Sequence, residues 1–211
     1  MLRSFILRTV LLLAPCFAGW FFIAPYHAAI LAPLSQLLVE PWRVGLVSAV
    51  ERTGATLTFV TGIEAGSSGG RIADLIVEVN PMIYSFGLAL FLALMLASRA
   101  RAWKIGLGVA ALLPFQAWGI AFDFLVQVAV LSGPEVAARA GLAGWQREAI
   151  AIGYQAGALV FPSLVPVLAW ALFNRAFIAG LRPQAAESQG VLAREFGAEE
   201  KDLRGVVNPQ Q

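Results

Sequence analysis

The sequence predicts a mainly α-helical integral membrane protein: a four-transmembrane-helix bundle with a small extracytoplasmic interfacial helix and a β-hairpin between helices 1 and 2. Three observations carry this. The 211 residues are 59% hydrophobic and 13% charged, with a mean hydropathy of +0.74, whereas soluble domains carry about 25% charged residues. Four apolar runs approach the roughly 20 residues needed to cross a hydrocarbon core about 30 Å thick. Basic residues gather at the ends of these runs rather than in a stripe, so the net charge of +2 points to membrane topology and not to nucleic acid.

The spans are expected at about 5–26, 82–98, 105–131 and 149–177, within one polytopic domain covering 1–180. Arg3 and Arg8 precede the first, Arg99, Arg101 and Lys104 fill the second connection, and Arg175 and Arg182 follow the fourth. Placing these in the cytoplasm puts ten of the fifteen basic residues inside, as the positive-inside rule requires. Both termini are then cytoplasmic, and Arg43, Arg52, Arg71, Arg139 and Arg147 lie outside.

Span one is expected to be a retained signal anchor. Its Leu13-Ala14-Pro15-Cys16 lacks the small residue that precedes a lipidated cysteine, and the apolar run exceeds that of a cleaved signal. Cys16 and His27 are the single cysteine and histidine, so no internal disulfide or multi-cysteine metal site exists. Eleven residues along a helix separate them by about 16 Å, beyond the reach of a catalytic pair. Cys16 reads as a packed thiol and His27 as an interfacial ring. No catalytic residues, cofactor or metal are expected.

Residues 28–80 form the extracytoplasmic insert. Pro33, Glu40, Pro41 and Arg43 interrupt the stretch 28–50, which reads as an interfacial helix anchored by Trp42. Beyond it the period changes to two. Leu57, Phe59 and Thr61 share one face, and Leu75, Val77 and Val79 another, opposite Asp74 and Glu78. A glycine-serine cluster joins the runs and lacks the Gly-Lys-Ser/Thr ending of a phosphate loop, so a hairpin turn is expected. A lone hairpin is marginal in water and must pack on something. Asn80 and Pro81 then suit a strand-to-helix hinge, one capping the helix and the other filling its first turn, with Tyr84 a further contact residue.

In span three Gln116, Asp123 and Gln127 are spaced by seven and four residues, one helical stripe together with Gly119. A carboxylate inside a membrane turns toward the bundle interior or water. Glu148, Ile152 and Gln155, with Tyr154 beside them, form a stripe near the outer end of span four and are expected to face Asp123 and Gln127, with Arg139 or Arg147 as countercharge. Gly153 and Gly157 form a Gly-x-x-x-Gly pair suited to close helix contact, and Pro114, Pro162 and Pro166 are potential kinks. Residues 181–211 read as a polar cytoplasmic tail with a short amphipathic helix near 191–196.

The segments VEVNPMIYSFGLALFLALMLAS, LLPFQAWGIAFDFL and REAIAIGYQAGALVFPSLVPVLAWALFNRAF resemble the exosortase H-associated membrane proteins. The resemblance implies a bacterial inner-membrane protein that partners an exosortase, and not the exosortase itself, whose Cys-Arg-His constellation has no setting here. The expected function is that of a non-enzymatic accessory protein in protein sorting or envelope processing. The alternative is a small proton- or solute-coupled transport component using Asp123.

Overall fold

The computed structural model describes residues 2–66, 72–142 and 144–181. Leu2–Asn174 forms one compact unit, and the chain from Arg175 belongs to a second, of which helix α8, Arg175–Leu181, is described.

Helix α1 runs unbroken from Leu2 to Val39. At 1.5 Å per residue its 38 residues reach about 57 Å, well beyond a hydrocarbon core. The interfacial helix expected over 28–50 is therefore largely an extension of span one. Pro25 and Pro33 lie inside the helix without ending it, because Ala24, His27, Ala28, Leu31, Ser35 and Val39 form a buried stripe that continues through both prolines. Packing of that stripe overrides the local cost of proline. The helix stops at Glu40 and Pro41. Its earlier turns expose Leu7, Val10, Leu11 and Phe22, as a lipid-facing surface does.

A positive-φ turn at Gly45 leads into the sheet, which has three antiparallel strands in the order β1-β2-β3: Val47–Thr53, Thr56–Gly66 and Ile72–Val79. The expected hairpin is β2 and β3. Strand β1 adds a third member through a tight turn in which Gly54 takes φ +63, a conformation glycine adopts without a Cβ penalty. Leu57, Phe59, Thr61, Val77 and Val79 are buried while Asp74 and Glu78 are exposed, as the alternation requires. The β2–β3 register shifts between Val60 and Glu64. There the buried Thr61 hydroxyl donates to the Leu75 carbonyl at 2.9 Å and accepts from the Ile63 amide at 3.3 Å, supplying bonds that an irregular ladder leaves out. Most of the glycine-serine cluster lies outside the described residues, as does the expected tail helix.

Helices α2 (Met82–Ser85) and α3 (Gly87–Ala97) follow. A left-handed Arg99 then closes the α3 end: Ala100 N–H reaches Met95 O and Arg99 N–H reaches Leu96 O, both at 3.0 Å, a Schellman motif. Helix α4 (Ala102–Val126) passes Pro114 and ends in a π turn, Gln127–Leu131. The connection that follows contains α5 (Pro134–Ala140), entered by a proline and left through Gly141 at φ +65, where the sequence alone leads one to expect a loop. Helix α6 (Gly144–Gln155) continues through a second π turn (Ala156–Val160) into α7, Phe161–Phe173. Pro162 has no N–H to give the preceding turn, and the wider π geometry sits immediately before it. Helix α7 ends at Phe173 because Asn174 leaves helical geometry at φ −121 and ψ 32, its side-chain amide donating to the Trp170 carbonyl at 3.0 Å.

Among the described residues three helices are long and apolar enough to span a membrane: Leu2–Val39, Ala102–Leu131 and Gly144–Phe173. Met82–Ala97 is a shorter apolar helix. One continuous core joins Leu31 and Val39 of α1, Leu57 and Phe59 of β2, and Phe124 and Leu125 of α4. Phe59 and Phe124 stack with centroids 4.7 Å apart, so the sheet is docked on α4.

Phe59→Ala is expected to destabilise the protein by about 3–5 kcal/mol, the usual cost of removing a core phenylalanine. Ile76→Ala, on the exposed side of the sheet, should change stability by less than about 0.5 kcal/mol. Unfolding in detergent, followed by near-ultraviolet circular dichroism, measures both.

Candidate functional site

The polar stripe of α4 divides between two neighbours. Gln116 is two turns below Asp123, about 10 Å along the axis, and at that depth it meets α1. His27 Nε2 and Gln116 Oε1 lie 2.7 Å apart, and both side chains are buried. An amide oxygen only accepts, so His27 carries its proton on Nε2. The histidine is thus a core partner and not an interfacial ring. Its signal in the sequence was its place in the Ala24, Ala28, Leu31 stripe. Nearby, the Trp20 indole donates to Ser85 Oγ at 3.3 Å, joining α1 to α2.

Asp123 and Gln127 remain together. Gln127 Nε2 donates to Asp123 Oδ1 at 3.1 Å and to the Glu78 carbonyl of β3 at 3.3 Å. One side-chain amide therefore ties the carboxylate to the sheet. Tyr84 stands beside Asp123 and Tyr154, close enough to interact electrostatically with both. The cluster links α2, α4, α6 and β3.

The hinge places Tyr84. Asn80 Oδ1 accepts from the Met82 amide at 3.0 Å, and the Ile83 and Tyr84 amides reach the carbonyls of Asn80 and Pro81 at 3.2 and 3.1 Å. These bonds turn the chain from β3 into α2 within a few residues. The Tyr84 ring then lies against Gly119, where a Cβ would collide with the ring, and the Gly119 backbone lies against Gly157, where a Cβ would come within 2.8 Å of the Gly119 Cα. Gly153 in turn seats the Phe122 ring, and its carbonyl accepts from Trp118 Nε1 at 3.1 Å.

Glu148 and Gln155 do not join the cluster. Both are exposed, as is Ile152 between them. The face of α6 and its π turn turned toward α4 carries Ile150, Gly153 and Gly157 instead. Small residues allow the closest backbone approach and so choose the contact face. Helical period then turns Glu148, Ile152 and Gln155 outward. Polarity alone predicts the opposite face.

A family model described as exosortase H-associated membrane protein matches residues 1–177. The chain belongs to this family. No curated protein and no solved structure matches it. Membership in the exosortase H-associated family covers the whole of the Leu2–Asn174 unit, including the hinge, the Asp123 cluster and the His27–Gln116 pair.

With its partners, Asp123 acts as a connector between elements. Asp123→Asn keeps the shape and the acceptor and should stay within about 1 kcal/mol of the parent. Asp123→Leu removes the acceptor of the Gln127 amide and should cost about 1–3 kcal/mol. Thermal unfolding in detergent distinguishes the two; equal losses would contradict the connector role.

Proposed function

We propose that this chain is a non-enzymatic accessory protein of the bacterial inner membrane, serving exosortase H in protein sorting or envelope processing. Met82–Ala97 completes four spans, both termini are cytoplasmic, and the sheet lies on the outer side. The family match over residues 1–177 carries this reading. The distribution of basic residues supports the orientation, since the α3–α4 connection holds Arg99, Arg101 and Lys104.

Two surfaces support a membrane-protein partner. Gln155 lies on the outside of α6 and finds no side-chain partner among the described residues. It stands about 16 Å along the helix from Gly144, at a depth where lipid offers a side-chain amide no hydrogen bond. A neighbouring helix would. The outward face of the sheet aligns Glu51 opposite Thr58 and Thr58 opposite Glu78, a polar row suited to an extracytoplasmic segment of the same partner. The alternative, a proton- or solute-coupled transport component, draws on the half-buried Asp123 carboxylate; its ties to Gln127 and Tyr84 favour a connecting role.

A photo-crosslinking residue placed at Ile152 or at Glu51 should capture exosortase H in intact membranes, identified by mass, whereas one at Leu11 on the lipid-facing side of α1 should not. Absence of an exosortase adduct from both positions, or an equal yield from Leu11, would overturn the assignment.

A further inference from the structure

Two cavities flank the turn that joins α1 to β1. One, of about 260 Å³, is lined by Arg43, Gly45, Gly62 and Arg139. Its arginines come from separate elements, the α1–β1 turn and α5, and the Arg43 guanidinium is seated where a Cβ on Gly141 would stand. That packing holds one cationic group in place at the cavity wall. The other cavity, of about 350 Å³, is apolar and is lined by Leu38, Trp42, Trp118, Phe122 and Trp145.

Tryptophans are enriched at membrane interfaces, where their amphipathic rings sit at the level of the headgroups. Here three of them converge on one cleft from the α1–β1 turn, α4 and α6. Phe122 holds the cleft wall, stacked on Trp118 with centroids 4.4 Å apart and edge-on to Trp42 at 5.3 Å. The Gln146 amide donates to the Trp42 carbonyl at 3.3 Å, bracing the turn against α6. Trp42 and Arg43 are adjacent in the chain, so the apolar cleft and the cationic cavity share this braced turn. The cleft descends from Trp145 near the start of α6 toward Trp118, which lies about 20 Å along the helix from Leu131, the end of the α4 π turn.

We infer that these two cavities together form a site for an anionic phospholipid, its phosphate held by Arg43 and Arg139 and its acyl chain lying in the tryptophan cleft. Guanidinium groups suit phosphate because their planar donors pair with its oxygens. An apolar cleft beside them selects an amphiphile over a free anion. A soluble acidic peptide would use the arginines and leave the cleft unfilled, whereas a membrane lipid fills both. The assignment does not depend on the partner protein or on the side of the membrane.

Native mass spectrometry of the full chain, purified from mixed micelles holding equal phosphatidylglycerol and phosphatidylcholine, tests it. Phosphatidylglycerol should be retained about tenfold or more over phosphatidylcholine, since each arginine near a lipid surface contributes severalfold. The preference should fall toward unity in Arg139→Gln, whose side chain is exposed, and in Arg43→Gln. In the unaltered protein, dibrominated phosphatidylglycerol should quench tryptophan fluorescence more strongly than dibrominated phosphatidylcholine at equal mole fraction. Trp42→Phe with Trp145→Phe should remove that excess. Equal retention of the two lipids, a preference unchanged by either arginine substitution, or equal quenching would overturn the site. So would displacement of the lipid by inorganic phosphate at the lipid's own concentration, which would reduce the site to an anion cavity without a role for the cleft.

Discussion

The close approach at Gly119 is the constraint on which the rest of the unit depends. The Tyr84 ring presses on one side of this residue and the Gly157 backbone on the other. In a bilayer, helices gain little from hydrophobic burial against one another, because lipid tails are equally apolar. Their association rests on packing contact and hydrogen bonds. Without a side chain at Gly119, α4 accepts α2 and the α6–α7 connection at van der Waals distance, and the polar groups beside it then come within bonding range. Gly153 repeats the arrangement by taking the Phe122 ring.

Once α4 is held in this way it becomes the support for the sheet. Phe124 faces the sheet and stacks on Phe59, while Gln127 bridges Asp123 to the backbone of β3. The sheet needs a partner for its apolar face, and α4 supplies it. The Asn80–Pro81 hinge is equally tied to α4, because it delivers Tyr84 to Gly119, beside Asp123, five residues past the end of β3. The intramembrane carboxylate, costly when exposed to lipid, thus joins the sheet to the helices. Lower in the bundle, the His27–Gln116 bond does the same for α1 and α4. The two levels are separate, so the outer part of the unit and the α1 contact are held by different side chains.

Much of this was legible in the sequence, for identifiable reasons. Alternation at Leu57, Phe59 and Thr61 and at Leu75, Val77 and Val79 marked two strands because one face is buried and the other is wet. Asn80-Pro81 announced its turn because cap chemistry is local. The proximity of Asp123 and Gln127 followed from a spacing of four. Other features required partners that lie far away in the chain. Strand β1 is short and interrupted by a register shift near Val47, and it needs β2 for its definition. The run of α1 through Pro25 and Pro33 depends on a stripe buried by other elements, so local proline rules gave a boundary too early. Pairing of Gln116 with His27 spans 89 residues, which no periodicity reveals. For α6, two cues conflicted. Its polar residues pointed one way and Gly153 and Gly157 another, and the glycines prevailed because backbone approach is what packs helices in lipid.

The thermal midpoint of Gly119→Ala in detergent, set beside that of Gly106→Ala, tests the central claim most directly. Both glycines lie within α4, and a Cβ at Gly106 would meet open space. Alanine is the better helix former by about 1 kcal/mol, so Gly106→Ala should hold or raise the midpoint. Gly119→Ala should lower it, by the equivalent of about 1–3 kcal/mol of overpacking. A Gly119→Ala protein as stable as Gly106→Ala would show that the bundle does not depend on this contact.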